Sequence, residues 1–411
     1  MNLYFFNQSS KGAVFGVGSY ISELTVSLRN SPANICVVHL MSDKPQIQKE
    51  VIEGVRYWYF PAPVKEQRTT DIQKQIELYL RNIVYLLQLH ITDKKDLIFQ
   101  FNYMNNKPLV DALRSAFDCK IISVVHYFDS CLSLSGNISR LRRIILQPGE
   151  PTDKVEKAAK VYFQKEKELL HSMDKIICLS NHSSDLLHQD YRIEKEKMVI
   201  ICNGLTDRKS IQDEKDKQAL RRKYYIPDIP IILFVGRLDN SKGIGYLIKA
   251  FHGVLEKFPD CRLMIAGNGH YDTYLHEAKD ICTKVTFFGF LDKQELRELY
   301  QIADIGVTPS FFETFGYVAV EMMMYGLPIV ATATSGLNEV VDDSCGLKIP
   351  IIAYPDKVEI DANVLAEKIL YLLQNPTEAR RLGKNARERY LKNYSSDTFG
   401  KNMIDFYKSL G

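Results

Sequence analysis

The stretch FFETFGYVAVEMMMYGLP, residues 311–328, joins two glutamates, a glycine turn and a helical segment. Glu313 precedes the turn Thr314-Phe315-Gly316, and we predict a helix over residues 317–325 with Glu321 about one turn in. The first amides of a helix lack intrahelical partners and lie at its positive end, so they attract phosphate. Carboxylates accept hydrogen bonds from vicinal hydroxyls, so one glutamate can hold a sugar and the other a ribose. The alternative is that Glu321 is an ordinary helix-surface carboxylate.

A second glycine-rich stretch, VGRLDNSKG at residues 235–243, places Gly236, Arg237 and Lys242 just beyond a predicted buried strand. A guanidinium binds phosphate oxygens bidentately and an ammonium acts as a compact point charge, so this pair suits a diphosphate. The turn AGNG, residues 266–269, follows the next predicted strand. The alternative for both is an ordinary strand exit with surface charges.

The segments around these stretches predict an α/β protein of two domains, since a chain of 411 residues exceeds one ordinary core. Short apolar runs alternate with helical segments, which indicates parallel sheets. We predict an N-terminal domain over residues 1–205, a C-terminal domain over 206–395 that starts with a charged connection at 206–217, and a last helix over 396–411 that packs back on the first domain. The predicted strands are 3–6, 35–40, 97–101, 121–125, 176–179, 231–235, 262–266, 285–288, 305–307 and 328–331.

In the N-terminal domain a third glycine-rich stretch, KGAVFGVGS at residues 11–19, contains Gly16 and Gly18. Glycines there let backbone amides approach a phosphate or sugar. Ile21 occupies the third glycine position of the dinucleotide-binding fingerprint, so the stretch does not match that motif. A plain tight turn is the alternative.

Composition excludes several classes of protein. The 53 basic and 50 acidic residues are intermixed, which gives no field that favours nucleic acid. The eight cysteines are scattered without a zinc-binding pattern, and no segment has membrane-spanning length, so we expect a cytoplasmic protein. The segment ISRLRRIILQ, residues 138–147, has arginines beside apolar residues and predicts either contact with the inner membrane face or a solvated helix face.

These motifs resemble the retaining glycosyltransferases of family 4. The pattern is Arg237-x4-Lys242-Gly243, the AGNG turn, and above all Glu313-x7-Glu321. The resemblance is densest over residues 231–350 and thins in the N-terminal domain to the Gly16-x-Gly18 turn, His126 and Ser180. It implies the GT-B fold, in which two doubly wound Rossmann-like domains face a central cleft.

The resemblance also assigns roles. Arg237 and Lys242 neutralise the donor diphosphate, Glu321 holds the ribose, and Glu313 holds the transferred sugar with the amides of residues 315–317. His126 matches a histidine that faces the sugar, and its alternative is a strand-end histidine bonded to the backbone. The predicted catalytic residues are Arg237, Lys242, Glu313 and His126, and the predicted nucleotide-sugar-binding residues are Gly16, Gly18, Gly236, Arg237, Lys242, Gly267, Asn268, Gly269, Glu313, Thr314, Phe315, Gly316, Tyr317 and Glu321.

The expected reaction moves a hexose-type sugar, with retention, from a nucleotide diphosphate sugar to a glycan, lipid-linked or peptide acceptor. We expect a UDP-sugar in preference to a GDP-sugar and no cofactor. With no D-x-D between predicted strands, we also expect no metal, the protein cations replacing magnesium. A nucleotide-sugar epimerase on the same fold and a non-catalytic nucleotide-sugar binder are the alternatives. Ser335 departs from the family pattern, which commonly has a second glycine before Gly336.

Overall fold

The structure, a computed structural model, describes residues 1–8, 16–63, 72–103, 107–210 and 214–410. It divides into two compact units, each built on a parallel or mainly parallel sheet. Unit 1 comprises Met1–Phe128, Val161–Gly204 and Ser396–Gly411, and unit 2 comprises Asp129–Lys160 and Leu205–Ser395. The α/β class with two doubly wound units is confirmed, whereas the residue boundaries that we assigned to the domains stay a prediction.

In chain order the helices are α1 Gly16–Leu28, α2 Ile72–His90, α3 Lys107–Ala116, α4 Asp129–Ser133, α5 Ile138–Leu146, α6 Lys154–His171, α7 Asn181–Gln189, α8 Glu214–Lys223, α9 Ile244–Lys257, α10 Tyr271–Glu277, α11 Lys293–Ile302, α12 Tyr317–Tyr325, α13 Leu337–Val340, α14 Ala362–Gln374, α15 Pro376–Asn393 and α16 Ser396–Lys408. Short 3-10 turns span Lys195–Lys197, Asn240–Lys242 and Lys279–Lys284.

The strands of unit 1 form a sheet in the order β3-β4-β2-β1-β5-β6-β7-β8, parallel throughout except for the antiparallel pair β3–β4. They are β1 Asn2–Gln8, β2 Asn34–Ser42, β3 Gln48–Ile52, β4 Val55–Pro61, β5 Leu97–Phe101, β6 Cys119–Val125, β7 Lys175–Cys178 and β8 Met198–Ile200. Our prediction omitted β3, β4 and β8. Four of the five residues of β3 are exposed, so it lacks the apolar run on which that prediction relied.

The strands of unit 2 form a fully parallel sheet in the order β11-β10-β9-β12-β13-β14. They are β9 Ile231–Val235, β10 Arg262–Ala266, β11 Val285–Gly289, β12 Ile305–Thr308, β13 Ile329–Thr332 and β14 Gly346–Ile349, and a separate antiparallel pair contains β15 Ile351–Ala353 and β16 Val358–Ile360. The chain order of neighbouring strands reverses between β9 and β12. Such a switch point opens a crevice at the carboxyl ends of the strands, where ligands of open α/β sheets bind.

Helix α16 packs within unit 1 against α1. A Cβ atom on Gly400 would lie 2.8 Å from the Cβ atom of Ser27, so the two helices approach closely there. The ring of Phe399 meets Tyr20 edge-on, and Tyr407 stacks on Phe5. The chain therefore returns to the first sheet after completing unit 2.

The charged connection that we predicted to extend to residue 217 is shorter than expected, because α8 begins at Glu214. Charges on α8 have structural partners: Lys217 and Arg221 each pair with Asp304 at 2.6 Å. Asp304 also accepts a hydrogen bond from the Ile231 amide. A charge-rich helix thus anchors the starts of β9 and β12.

Helix α5 contains the segment of arginines and apolar residues for which we predicted either contact with the inner membrane face or a solvated helix face. Leu141 and Ile144 are buried, while Arg140 and Arg143 pair with Glu156 at 2.9 and 2.7 Å. Two apolar side chains of the segment are thus buried and two of its arginines are paired, whereas Leu146 is 78% exposed, and the choice between the two faces stays a prediction. Among the described helices, none is long and apolar enough to cross a bilayer.

Candidate functional site in unit 2

Two loops meet at the switch point of the unit 2 sheet. One follows β9 and leads through the Asn240–Lys242 turn into α9, and the other follows β12 and leads into α12. Asp239 is the N-cap of the Asn240–Lys242 turn in the first loop, and its side chain accepts a hydrogen bond from the Ser241 amide at 2.9 Å. The amide of Phe311 then donates to the Ser241 carbonyl at 2.9 Å, which ties the second loop to the first.

Lys242 and Glu313 form an ion pair between these loops. Lys242 Nζ lies 2.5 Å from Glu313 Oε1, and the side chains are 20% and 23% exposed. Because both side chains are only partly buried, the ion pair still has a side that is open to a ligand. The structure thus joins the cation predicted to bind diphosphate to the carboxylate predicted to hold the sugar, although 71 positions separate them in the sequence.

The loop after β13 holds Glu313 in place. The hydroxyl of Ser335 accepts a hydrogen bond from the Glu313 amide at 2.9 Å, and the Gly336 amide donates to the Glu313 carbonyl at 2.8 Å. The departure from the family pattern at Ser335 therefore has a structural role. A glycine at this position has no side chain with which to make that bond.

Arg237 lies on the first loop but is held loosely. Its side chain is 54% exposed, and Nε is 3.4 Å from Asp239 Oδ2. An exposed pair of this kind contributes little stability, so the guanidinium is available to a ligand.

The AGNG turn packs against the start of the first loop. A Cβ atom on Gly267 would lie 1.7 Å from the Gly236 carbonyl oxygen, so only glycine fits there. The Leu238 amide donates to the Asn268 carbonyl at 2.9 Å, and Leu238 forms a bridge with Gly269. These glycines bring two strand exits together, which is a structural role independent of any ligand.

Helix α12 spans the residues predicted from the sequence. Gly316 is its N-cap with φ 104°, a conformation that favours glycine, and no side chain caps the helix there. Its first turn carries no acidic residue, so no side chain in that turn neutralises the positive end of the helix. The amides that follow Thr314, Phe315 and Gly316 lie at this end. The end of α12 is therefore suited to an anion beside the Lys242–Glu313 pair.

Glu321 has a partner that sequence reasoning missed. The hydroxyl of Tyr300, on α11, donates to Glu321 Oε2 at 2.5 Å. The Tyr300 ring also stacks on Tyr325, with centroids 5.4 Å apart. The sequence around Tyr300 does not indicate that its hydroxyl binds a carboxylate, because an aromatic residue on an amphipathic helix ordinarily packs in the hydrophobic core.

In unit 1 the glycine-rich loop is only partly described. Residues 11–15 of that prediction lie outside the described residues, whereas Gly16 and Gly18 lie in the first turn of α1. They therefore sit at a helix N-terminus, as predicted for a backbone approach to a ligand.

His126 follows β6 in unit 1 and is a partly buried residue beside the buried side chains of Gln100 and Asn102. Its Nε2 is 3.4 Å from Asn102 Oδ1, and its ring meets Tyr20 edge-on. Asn102 Nδ2 donates to the Phe6 carbonyl, which turns Oδ1 toward the histidine. Gln100 Nε2 donates to the same Oδ1 at 3.1 Å. Because an amide oxygen only accepts, a hydrogen bond between His126 Nε2 and this oxygen requires the Nε2–H tautomer.

Burial lowers the pKa of His126 to about 3, and this predicts a neutral imidazole throughout the physiological range. Because the pKa in the folded state lies below the unfolded value, the contribution of His126 to the free energy of unfolding is complete above about pH 6.5 and decreases as the pH falls toward 3. We expect the imidazole nitrogen signals of His126, measured by ¹⁵N NMR, to stay in the Nε2–H tautomer from about pH 8 to pH 5. A titration near pH 6.5 would contradict this environment.

Comparison with known proteins places these features in a family. The model "Glycosyltransferase Family 4" matches residues 14–208 and the model "Glycosyl transferases group 1" matches residues 216–389. The chain is 26% identical over 241 residues to an alpha-D-kanosaminyltransferase of Streptomyces kanamyceticus, covering 57% of this chain and 60% of that protein. It is 31% identical over 242 residues to an uncharacterised glycosyltransferase of Methanocaldococcus jannaschii, covering 57% and 59%. The matched part spans about three fifths of the length of these relatives.

Solved structures give the fold. Sucrose-phosphate synthase from Thermosynechococcus elongatus has a TM-score of 0.78 at 22% identity and covers 100% of this chain and 99% of its own. Anabaena HepE, solved in complex with UDP, has a TM-score of 0.71 at 17% identity and covers 100% of both chains. The two family models follow each other along nearly the whole chain, and the fold agrees with them. The chain belongs to the GT-B glycosyltransferases of the family 4 type.

Proposed function

We propose that this protein transfers a hexose-type sugar from a nucleotide diphosphate sugar to an acceptor hydroxyl, with retention of anomeric configuration. The acceptor is a glycan, a lipid-linked molecule or a peptide. The observation that carries the proposal is the 2.5 Å pair of Lys242 and Glu313 beside the N-terminus of α12, at the switch point of the unit 2 sheet.

This arrangement suits the cleavage of a sugar–phosphate bond. An ammonium has three donors, so Lys242 can keep Glu313 and still donate to a phosphate oxygen. Negative charge builds on the diphosphate as it leaves, and a fixed cation with helix amides stabilises that charge more in the transition state than in the ground state. Arg237, exposed and loosely paired, adds a second cation when a diphosphate is present.

For the donor we propose a UDP-sugar. The complex of Anabaena HepE with UDP supports this choice through the shared fold. A thermal-shift screen of UDP, GDP and ADP, each with its glucose conjugate, tests the assignment. A ligand that binds only the folded state at about one hundred times its Kd adds about 2.7 kcal/mol of stability, so UDP should raise the Tm most. A larger shift with GDP or ADP would overturn the UDP assignment, and no shift with any of them would overturn the donor site.

We also propose that transfer needs no metal ion. Among the described residues, no group of three or more histidine, cysteine or carboxylate side chains is placed to hold one, and Lys242 supplies the charge that magnesium gives other enzymes. We expect the rate of transfer to stay within about twofold of its starting value in excess EDTA. Removal of a catalytic metal would lower the rate much more than that. Loss of turnover that manganese restores would contradict this prediction.

A further inference from the structure

Tyr300 and Glu321 form a partly buried contact in unit 2 that the donor-site motif does not include. Tyr300 is 2% exposed, and its hydroxyl donates to Glu321 Oε2 at 2.5 Å. The two residues lie on adjacent helices, α11 and α12. A hydrogen bond to a carboxylate is stronger than one between neutral groups and fixes the direction of the carboxylate plane.

We propose that Tyr300 is a positioning residue that orients the Glu321 carboxylate toward the ribose of the donor, and so sets selectivity for ribonucleotides over deoxyribonucleotides. This inference rests on the proposed function, which gives Glu321 the ribose. A glutamate side chain on a helix can rotate about its bonds, but its carboxylate binds vicinal hydroxyls only when an oxygen lies at hydrogen-bond distance from them. Holding one oxygen of Glu321 restricts that rotation before the ligand arrives.

The environment of Tyr300 keeps this bond intact at all working pH values. Burial, followed by the nearby charge of Glu321, raises the pKa of Tyr300 well above its usual value. The phenol therefore stays protonated and remains a donor. Stacking on Tyr325, at an interplanar angle of 10°, fixes the plane of the Tyr300 ring.

Tyr325 supplies a matched control for substitution. It is 7% exposed and stacked on the same ring, but its buried hydroxyl has no hydrogen-bond partner in the part of the chain that the structure describes. Tyr325→Phe and Tyr300→Phe each remove one hydroxyl from the same aromatic pair. Only the second removes a bond to Glu321.

The experiment measures Kd by calorimetry for UDP, GDP and ADP and for their 2′-deoxy and 3′-deoxy counterparts, using the full chain. For the nucleotide that binds the wild type best, Tyr300→Phe should weaken the affinity for the ribonucleotide about tenfold, which is the size of one charge-assisted hydrogen bond. The affinity for the deoxy form that lacks the contacted hydroxyl should stay within about twofold of the wild-type value. The ratio between the two should therefore fall. In the Glu321→Gln background, Tyr300→Phe should have little further effect on that ratio.

The outcomes separate this inference from the proposed function. If the wild type binds a nucleoside diphosphate but Tyr300→Phe leaves the ribose-to-deoxyribose ratio unchanged, or Tyr325→Phe lowers it equally, Tyr300 is only structural and the inference is wrong. A lower Tm for Tyr300→Phe with an unchanged ratio also means that Tyr300 is only structural. If the wild type binds none of the nucleotides, the proposed function falls and the inference with it.

Discussion

Replacing Lys242 with methionine is expected to lower kcat for sugar transfer about a thousandfold, because it removes the cation that we propose stabilises the leaving diphosphate. Methionine keeps most of the length of the side chain but carries no charge. The Lys242 side chain is only 20% exposed and its ammonium is paired at 2.5 Å, so water and salt screen this charge less than that of a surface lysine. The loss should fall mainly on kcat, since the charge develops on the leaving group during cleavage.

The control for this variant is Lys249→Met. Lys249 lies on α9, the helix that follows Lys242, and is exposed. Steady-state kinetics of both variants on the donor that binds best should show near-normal turnover for Lys249→Met. Equal turnover in the two variants would remove Lys242 from the site.

Replacing Glu313 with glutamine should lower kcat about a hundredfold while the Kd for the free nucleotide stays the same or tightens. Glutamine keeps the shape of the side chain but loses the charge that pairs with Lys242. Removing that carboxylate leaves Lys242 more available to phosphate, whereas the transferred sugar loses its charged hydrogen-bond acceptor. Opposite effects on turnover and on nucleotide affinity would mark Glu313 as a residue that acts on the sugar.

Glu256→Gln, an exposed position on α9, is the matched control for Glu313→Gln. Kinetics and calorimetry on the same preparations measure both effects. If transfer and donor affinity both stay near wild type in Glu313→Gln, our assignment of that residue is wrong.

Parts of the fold followed directly from the sequence. The strands at 97–101, 231–235 and 262–266 and the helix at 317–325 have the bounds that we predicted. Each is a mainly apolar segment, so the local pattern suffices. The exposed edge strand β3 carries no such signal, because its residues face solvent and depend on pairing with β4.

The site itself needed the tertiary structure. The sequence motif indicated Lys242 and Glu313 separately, but their 2.5 Å contact depends on β9 and β12 being neighbours, and strand order is not encoded locally. Tyr300 was missed for the same reason, since its contact with Glu321 is made between two helices. Ser335 departs from the family pattern in sequence, and only the loop geometry shows that its hydroxyl binds the Glu313 amide.

The central claim is that unit 2 activates a nucleotide sugar for transfer. It is tested most directly by incubating the wild type and Lys242→Met with the nucleotide sugar that gives the largest thermal shift, and by measuring nucleoside diphosphate release and the fate of the sugar by NMR. We expect the wild type to release the nucleoside diphosphate with the sugar transferred to an acceptor or to water, and Lys242→Met to do so about a thousandfold more slowly. Recovery of the donor intact would indicate a non-catalytic binder, recovery as an isomerised nucleotide sugar would indicate an epimerase, and either result would contradict the central claim.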